Sequence, residues 1–341
     1  MGGGPDEDVL ARATVRIEDG TRWGSGTIID AKRGLILTNA HVAAPSAPGA
    51  AVFRGEFAEE IAEDPKEVRI LVNGGRSKDA EPRFIGKVVA VDGYLDLAVV
   101  QITETIGGRI VEPESGDLDD LVEIELGDSD ALVSGDEIQV FGYPRAAQSA
   151  SVTLTSGVVS GAVKDERLGS NRGMLNISAD ISGGNSGGLA VNSDGQLVGI
   201  PTIVREEKVG SMRPVSWARP LIEAATRGEE YRSPYVRPLG DAQISNATLV
   251  EAGSAPGIDF SCSNGELTSI DSGVGVSFDF EGFAPDEHQD LLVVVAVDGE
   301  PVGGWALTDE YPIEWPASGC ATVSVPIDAS AVGTGDVSVG F

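Results

Sequence analysis

The stretch GGNSGG, residues 183–188, places a single serine, Ser186, between two pairs of glycines. Glycine adopts backbone angles that other residues avoid, so glycines on both sides let the chain turn sharply and expose the serine hydroxyl. Taken alone, the same letters are typical of a plain glycine-rich turn. Their interpretation therefore depends on which other reactive side chains the sequence supplies.

Two further polar residues occur where apolar, strand-like runs end or begin. His41 lies in TNAHV, residues 38–42, and is one of only two histidines in the chain. Asp96 opens the apolar run LAVVQI, residues 97–102. A lone histidine in such a place is more often structural, and a lone aspartate is typical of a turn. Together with Ser186, however, they supply a base, a carboxylate and a nucleophile.

Short apolar runs separated by glycine, proline and aspartate predict an all-β protein and not a parallel α/β sheet. The runs form two groups of about six, one within residues 8–104 and one within 122–226. A polar connector, residues 105–121, joins the groups, and each group has the size of a small barrel. Residues 220–226 form the one good candidate for a short helix.

Eight short segments resemble, in sequence and in order, the trypsin-like serine proteases, and most closely their bacterial HtrA/Deg-type branch. They are GSGTII (24–29), LTNAHV (37–42), DLAVV (96–100), LGDS (126–129), FGYP (141–144), TSGVVS (155–160), GNSGG (184–188) and GQLVGI (195–200). The resemblance covers about residues 8–226. It implies a double β-barrel and a serine endopeptidase whose catalytic triad is His41, Asp96 and Ser186.

The resemblance also implies an oxyanion hole made by the backbone N–H groups of Gly184 and Ser186, with no metal ion or organic cofactor. Two features depart from the family pattern. Gly183 stands where proline is common, which gives the oxyanion loop a freer backbone and predicts a resting enzyme that is partly inactive. The PDZ domain that usually follows the protease in the HtrA/Deg-type branch is not recognisable.

The resemblance places Asp180, Thr202, Val204 and Val215 around the substrate pocket. Asp180 precedes Ser186 by six residues, a spacing that marks the pocket floor, where an aspartate selects arginine or lysine. The branched side chains of Val204 and Val215 on the walls argue for a narrow pocket instead. A small aliphatic residue before the cut is the favoured hypothesis, and a basic residue is the alternative.

A linker at residues 227–240 leads to residues 241–341, which read as a small β-sandwich. This unit carries 17 acidic residues and no lysine or arginine, within a chain of net charge −30. Such a surface repels phosphate backbones, so polypeptides and not nucleic acids are the expected partners. The acidic unit either adds solubility or binds a cation, polymer or surface. In the latter case the barrels could be a catalytically weak peptide-binding module.

The only two cysteines, Cys262 and Cys320, both lie in the acidic unit. They are either two buried thiols or a disulfide, and we favour a disulfide because both flank strand-like segments of one small domain. A disulfide predicts an extracytoplasmic compartment: secreted, periplasmic or at the cell surface. The chain shows no signal-peptide pattern and no apolar stretch long enough for a membrane span, so a leader would lie outside it. The sequence does not indicate an oligomeric state.

Overall fold

A computed structural model describes most of the chain. The residues described are 5–20, 22–47, 49–50, 64–112, 116–147, 149–165, 168–204, 210–235, 243–251, 257–263, 274–281, 291–297, 300–307, 316, 318–325 and 337–340. These described residues divide into two compact units, with those up to residue 235 in the first and those from residue 243 onward in the second. No helix in these described ranges is long and apolar enough to cross a membrane.

The first unit begins with a closed, antiparallel barrel of six strands in the order β1-β2-β3-β6-β5-β4. A helix, α1 (Glu7–Ala13), precedes the barrel, and another, α2 (Ala40–Ala43), follows its third strand. The strands are β1 (Thr14–Glu18), β2 (Trp23–Asp30), β3 (Leu35–Thr38), β4 (Val68–Val72), β5 (Glu81–Asp92) and β6 (Leu97–Thr105).

A second closed barrel of six antiparallel strands completes this unit, in the order β10-β11-β12-β9-β8-β7. Short 3-10 turns occupy Arg145–Ala147 and Val215–Ala218, and the predicted helix is confirmed as α3 (Arg219–Arg227). The two barrels confirm the predicted all-β class. The strands are β7 (Glu137–Gly142), β8 (Thr153–Asp165), β9 (Ser170–Ile177), β10 (Leu189–Val191), β11 (Leu197–Val204) and β12 (Gly210–Pro214).

The apolar sequence of strand β6 is explained by its burial on both faces. Successive side chains of a strand point to opposite faces, so a strand buried on both faces is apolar throughout. Ala98 and Val100 pack inside the first barrel. Leu97 and Val99 belong to a different cluster, which also contains Leu189 of the second barrel. The strand therefore carries the packing between the barrels, and the residue that precedes it, Asp96, lies at the edge of that interface.

The second unit contains two antiparallel sheets, as the predicted sandwich requires. One has the order β13-β15-β18-β14 and the other β17-β16-β19. Cys262 and Cys320 form a disulfide with Cα atoms 5.3 Å apart, so the predicted disulfide is confirmed. The strands are β13 (Gln243–Glu251), β14 (Gly257–Asp259), β15 (Val274–Glu281), β16 (Leu291–Val297), β17 (Glu300–Leu307), β18 (Ser318–Val325) and β19 (Val337–Gly340).

Candidate active site

His41 lies in the four-residue helix α2, three residues after the end of the buried strand β3. The helix begins after Asn39, whose side chain does not cap it. Asn39 Nδ2 donates instead to the backbone carbonyl of Asp96 at 2.7 Å and to Thr202 Oγ1 at 3.2 Å. The start of α2 is thus tied to both barrels, and it holds an imidazole that is 15% exposed.

Asp96 is fully buried in the turn between β5 and β6. Its φ of +54° is left-handed, a conformation in which aspartate is enriched among the non-glycine residues. Asp96 Oδ1 accepts the backbone N–H of His41 at 2.8 Å, and Oδ2 lies 2.7 Å from His41 Nδ1. Because an ionised carboxylate can only accept hydrogen bonds, Nδ1 carries a proton and Nε2 is left as the basic nitrogen of the neutral ring.

Ser186 lies in a loop of the second barrel that is seated against the first. Its carbonyl accepts the backbone N–H of Ser25 at 2.8 Å. Gly187 has a φ of +83°, and a Cβ atom there would overlap the carbonyl oxygen of Ser25 and Oγ1 of Thr38. Only glycine therefore allows this close approach, which carries the serine to the boundary between the barrels.

Thr202, near the end of β11, connects Ser186 to Asn39 and, through Asn39, to Asp96. Its carbonyl accepts the hydroxyl of Ser186 at 3.3 Å, and its Oγ1 accepts the Asn39 amide that also holds Asp96. Within the described residues, Ser186 Oγ makes no hydrogen bond to His41. Catalytic hydrogen bonds are often long or misaligned without a substrate, and a rotation of the Ser186 hydroxyl would be needed to form this one.

The Gly183–Gly184 peptide is held at its carbonyl, which accepts the backbone N–H of Arg145 at 2.7 Å. In a trans peptide the C=O and N–H groups point in opposite directions, so the N–H of Gly184 points away from Arg145. In the described part of the chain, neither this N–H nor that of Ser186 has a hydrogen-bond acceptor. The backbone freedom expected at Gly183 is therefore limited by one specific hydrogen bond.

Tyr143 is connected through Ser25 to the loop that contains Gly184. Ser25 Oγ accepts the backbone N–H of Tyr143 at 2.9 Å and donates to the carbonyl of Gly184 at 2.7 Å. The Tyr143 hydroxyl accepts a hydrogen bond from Asn73 Nδ2 at 2.7 Å. Burial raises the pKa of Tyr143 to about 12, so its hydroxyl keeps its proton well above neutral pH.

The residues predicted for the substrate pocket do not come together as expected. Asp180 is exposed, whereas its neighbour Ile181 is only 7% exposed, because side chains alternate between the two faces beyond the end of β9. Val215 begins a 3-10 turn and is buried in the core between the barrels. Val204 ends β11 and pairs with Gly210, but its side chain lies outside the described residues.

Two residues that the sequence did not single out, Ile181 and Gly210, are neighbours in the fold. A Cβ atom on Gly210 would come within 2.8 Å of Ile181 Cγ1. Gly210 begins β12 and pairs with Ile177 as well as Val204. The alternation of buried and exposed residues after Ile177 was the sequence signal that could have identified Ile181.

Among the residues that the structure describes, one group of side chains has the spacing of metal ligands: Cys262, Asp279 and Cys320. A zinc-type site needs cysteine thiolates. Both sulfur atoms are joined in the disulfide, so this group cannot provide them.

Comparisons with known proteins agree with this geometry. The family "Trypsin-like peptidase domain" matches residues 24–200, just over half of the chain. The periplasmic serine endoprotease DegP of Salmonella typhimurium is 32% identical over 182 residues, covering 53% of this chain and 30% of the relative. The periplasmic pH-dependent serine endoprotease DegQ of Escherichia coli is 29% identical over 208 residues, covering 61% and 36%. The chain thus spans about a third of these curated relatives.

A solved structure, described as the serine endoprotease from Yersinia pestis, covers 64% of each chain with 25% sequence identity and a TM-score of 0.45. The family match itself runs from β2 to β11 and includes His41, Asp96 and Ser186. Since that match covers most of both closed barrels and the loop of the second barrel that carries Ser186, the chain belongs to the trypsin-like peptidase family.

Proposed function

We propose that this protein is a serine endopeptidase that cleaves polypeptides through an acyl-enzyme, with Ser186, His41 and Asp96 as its catalytic triad. The observation that carries the proposal is the attachment of His41 to Asp96 at two points, one through the backbone N–H and one through Nδ1. A structural histidine needs no such tautomeric control. A histidine that must accept a proton at Nε2 does.

The reaction begins when the Ser186 hydroxyl leaves the carbonyl of Thr202 and turns toward His41 Nε2. As Ser186 Oγ attacks the scissile carbonyl, Nε2 takes its proton, and Asp96 stabilises the resulting imidazolium. The tetrahedral intermediate collapses when His41 returns the proton to the leaving amine. Water then attacks the acyl-enzyme by the same route, and the serine is regenerated.

The negative oxygen of the tetrahedral intermediate would be bound by the N–H groups of Gly184 and Ser186. Two observations support this assignment: these groups have no acceptor in the described part of the chain, and the Gly183 carbonyl is turned away toward Arg145. Donors that are fixed before the reaction stabilise developing charge without reorganisation. The loss of one such donor typically costs about 10²- to 10³-fold in kcat.

Labelling with a fluorophosphonate tests the proposal directly, because the reagent reacts with activated serines only. The full chain is expected to be labelled at one site, identified by mass spectrometry as Ser186. Heat-denatured protein, which retains every serine but no triad, should not be labelled. Folded protein that stays unlabelled, or that is labelled at another serine, would show that the barrels bind peptides without this chemistry.

We further propose that a small aliphatic residue precedes the cleaved bond. The exposed position of Asp180 and the buried position of Ile181 support this preference over a basic one. With Ile181 beside Gly210, an apolar side chain and not a carboxylate limits the depth of the pocket. One methylene group in such a pocket changes discrimination by about 10- to 200-fold.

Asp180→Ala is expected to leave the preference for alanine or valine over arginine unchanged, because its carboxylate is exposed. Ile181→Ala should deepen the pocket and raise kcat/KM for leucine relative to valine by about tenfold or more. Both variants can be measured on one peptide series that differs only in the residue before the cut. Fast cleavage after arginine that disappears in Asp180→Ala would establish the basic alternative.

We assign the protein to an extracytoplasmic compartment. The Cys262–Cys320 disulfide supports this location, since disulfides persist in oxidising compartments. The words "periplasmic" in the names of the two relatives also support it.

A further inference from the structure

Arg213 on β12 is the largest side chain that is fully buried in the described residues. Its guanidinium donates to the carbonyl of Leu95 through Nε at 2.8 Å and to that of Gly173 through Nη1 at 2.6 Å. Nη1 also lies 3.3 Å from Asp165 Oδ2, and Nη2 lies 3.5 Å from the carbonyl of Tyr94. Burying a charge costs several kcal/mol unless each of its donors is satisfied, so this arrangement calls for an explanation.

The partners of Arg213 belong to two different barrels. Asp165 and Gly173 lie on β8 and β9 of the second barrel, as Arg213 itself does on β12. Tyr94 and Leu95 belong to the turn between β5 and β6 of the first barrel. The guanidinium therefore fastens this turn to the second barrel.

The hydrogen bond to Leu95 acts on the peptide that leads into Asp96. The carbonyl of the Leu95–Asp96 peptide is held by Arg213 Nε, and its N–H is held by the carbonyl of Gly93 at 3.1 Å. With both ends of the peptide plane fixed, Asp96 keeps its left-handed φ of +54°. That backbone angle sets the direction in which the Asp96 side chain leaves the chain, and hence where its carboxylate meets His41.

The opposite end of the turn is held independently. Asp92 Oδ1 accepts the backbone N–H of Leu95 at 3.0 Å, and Asp92 Oδ2 accepts the hydroxyl of Tyr231 at 2.9 Å. Burial, together with the charge of Asp92, raises the pKa of Tyr231, so its hydroxyl remains a donor. Arg213 is thus the direct link, in this described turn, between the second barrel and the Leu95–Asp96 peptide.

We propose that Arg213 is a positioning residue for the triad: from the second barrel it holds the backbone of the β5–β6 turn so that the buried Asp96 carboxylate faces His41. The proposal rests on the proposed peptidase function for its kinetic consequence. Its structural consequence, the geometry of the His41–Asp96 hydrogen bond, does not depend on activity.

The test compares Arg213→Met, which keeps much of the volume but removes every donor, with Asp165→Asn. Asp165 lies on β8 of the second barrel and shares the guanidinium, so its variant controls for loss of stability in the second barrel. Kinetics are normalised to the folded fraction measured by circular dichroism. Arg213→Met should lower kcat by about 10- to 100-fold with little change in KM, because displacement of a catalytic group by about 1 Å has that effect.

A proton NMR spectrum provides a readout that a purely structural role would not change. The Nδ1 proton of His41, held by a carboxylate, should resonate far downfield, and with only two histidines in the chain its assignment is simple. The signal should be lost in Arg213→Met and kept in Asp165→Asn. Retained signal and retained kcat in folded Arg213→Met would overturn the proposal, as would equal losses in Asp165→Asn.

Arg213→Lys keeps the proposal testable if Arg213→Met does not fold. Lysine preserves the charge opposite Asp165, but a single ammonium group cannot reach the Leu95 and Gly173 carbonyls with the fixed fork of a guanidinium. The signal and kcat should therefore both fall in Arg213→Lys, and wild-type values would contradict the assignment. If the wild type were inactive, the peptidase proposal would fail, while loss or retention of the Nδ1 signal would still decide the role of Arg213.

Discussion

Ser186→Ala is expected to lower kcat for peptide hydrolysis by about 10⁶-fold, the largest effect of any single substitution in the chain. The substitution removes the nucleophile and leaves no second hydroxyl within the glycine-flanked loop from which attack could occur. What remains would come from substrate binding and the oxyanion hole, whose backbone N–H groups alanine preserves. Steady-state hydrolysis of a valine-ending peptide, with single-turnover measurement of the residual rate, gives the comparison.

This loss of activity should not be accompanied by loss of the fold. Among the described residues, Ser186 Oγ makes one hydrogen bond, to the carbonyl of Thr202 at 3.3 Å, so its removal should change the free energy of unfolding by about 1 kcal/mol. Ser156→Ala is the matched control, since it removes an exposed hydroxyl from β8 of the same barrel. Activity that survives in Ser186→Ala, or that falls equally in Ser156→Ala, would exclude Ser186 as the nucleophile.

The barrels could be predicted because the burial of their strands and the ends of their helix produce local sequence patterns. The run from Leu97 to Ile102 is almost entirely apolar because β6 packs against a core on each face. This pattern can be recognised from the sequence without the structure. The helix α3 has Pro220 in its first turn and Gly228, with a φ of +65°, directly after it. Such signals depend on neighbours in the chain and not on the tertiary fold.

The pocket could not be predicted in the same way because it is defined by side-chain direction. The six-residue spacing from Ser186 identified Asp180, which is exposed, whereas the buried side chain of that segment is Ile181, one residue further along. A shift of a single residue exchanges the two faces of an extended chain. Val215 shows a related effect: strand β12 ends at Pro214, and the next residue turns into the core between the barrels.

The residues that hold the proposed triad in place are even harder to identify from the sequence. Arg213 and Asn39 both act on backbone carbonyls of the β5–β6 turn, and every residue type has a carbonyl. The sequence around Tyr94 and Leu95 does not indicate that the backbone carbonyls of this turn accept hydrogen bonds from distant side chains. In a strand, an arginine such as Arg213 reads as an exposed position, and only the tertiary fold shows that it is buried.

Asp96→Asn is expected to lower kcat by about 10⁴-fold while KM stays near the wild-type value. The reason follows from the two donors that Asp96 receives. The backbone N–H of His41 requires an acceptor at the position of Oδ1, so the oxygen of the new amide must stay there and its NH₂ group must take the position of Oδ2. That NH₂ group faces His41 Nδ1 and can only donate to it. The ring then carries its proton on Nε2 and cannot accept one from Ser186.

Asp30→Asn is a closely matched control, because Asp30 also receives one backbone N–H and one side-chain N–H. Its Oδ1 accepts the backbone N–H of Arg33 at 2.9 Å, and its Oδ2 accepts Arg33 Nη1 at 2.7 Å. Arg33 cannot change tautomer as histidine can, and it lies on a turn after β2, so kcat should stay at the wild-type value. Asp96→Asn should keep the fold, since both hydrogen bonds can still form, and it should lose fluorophosphonate labelling in proportion to kcat. A folded Asp96→Asn protein that is labelled at the wild-type rate would mean that the buried carboxylate orders the turn without controlling the proton on His41.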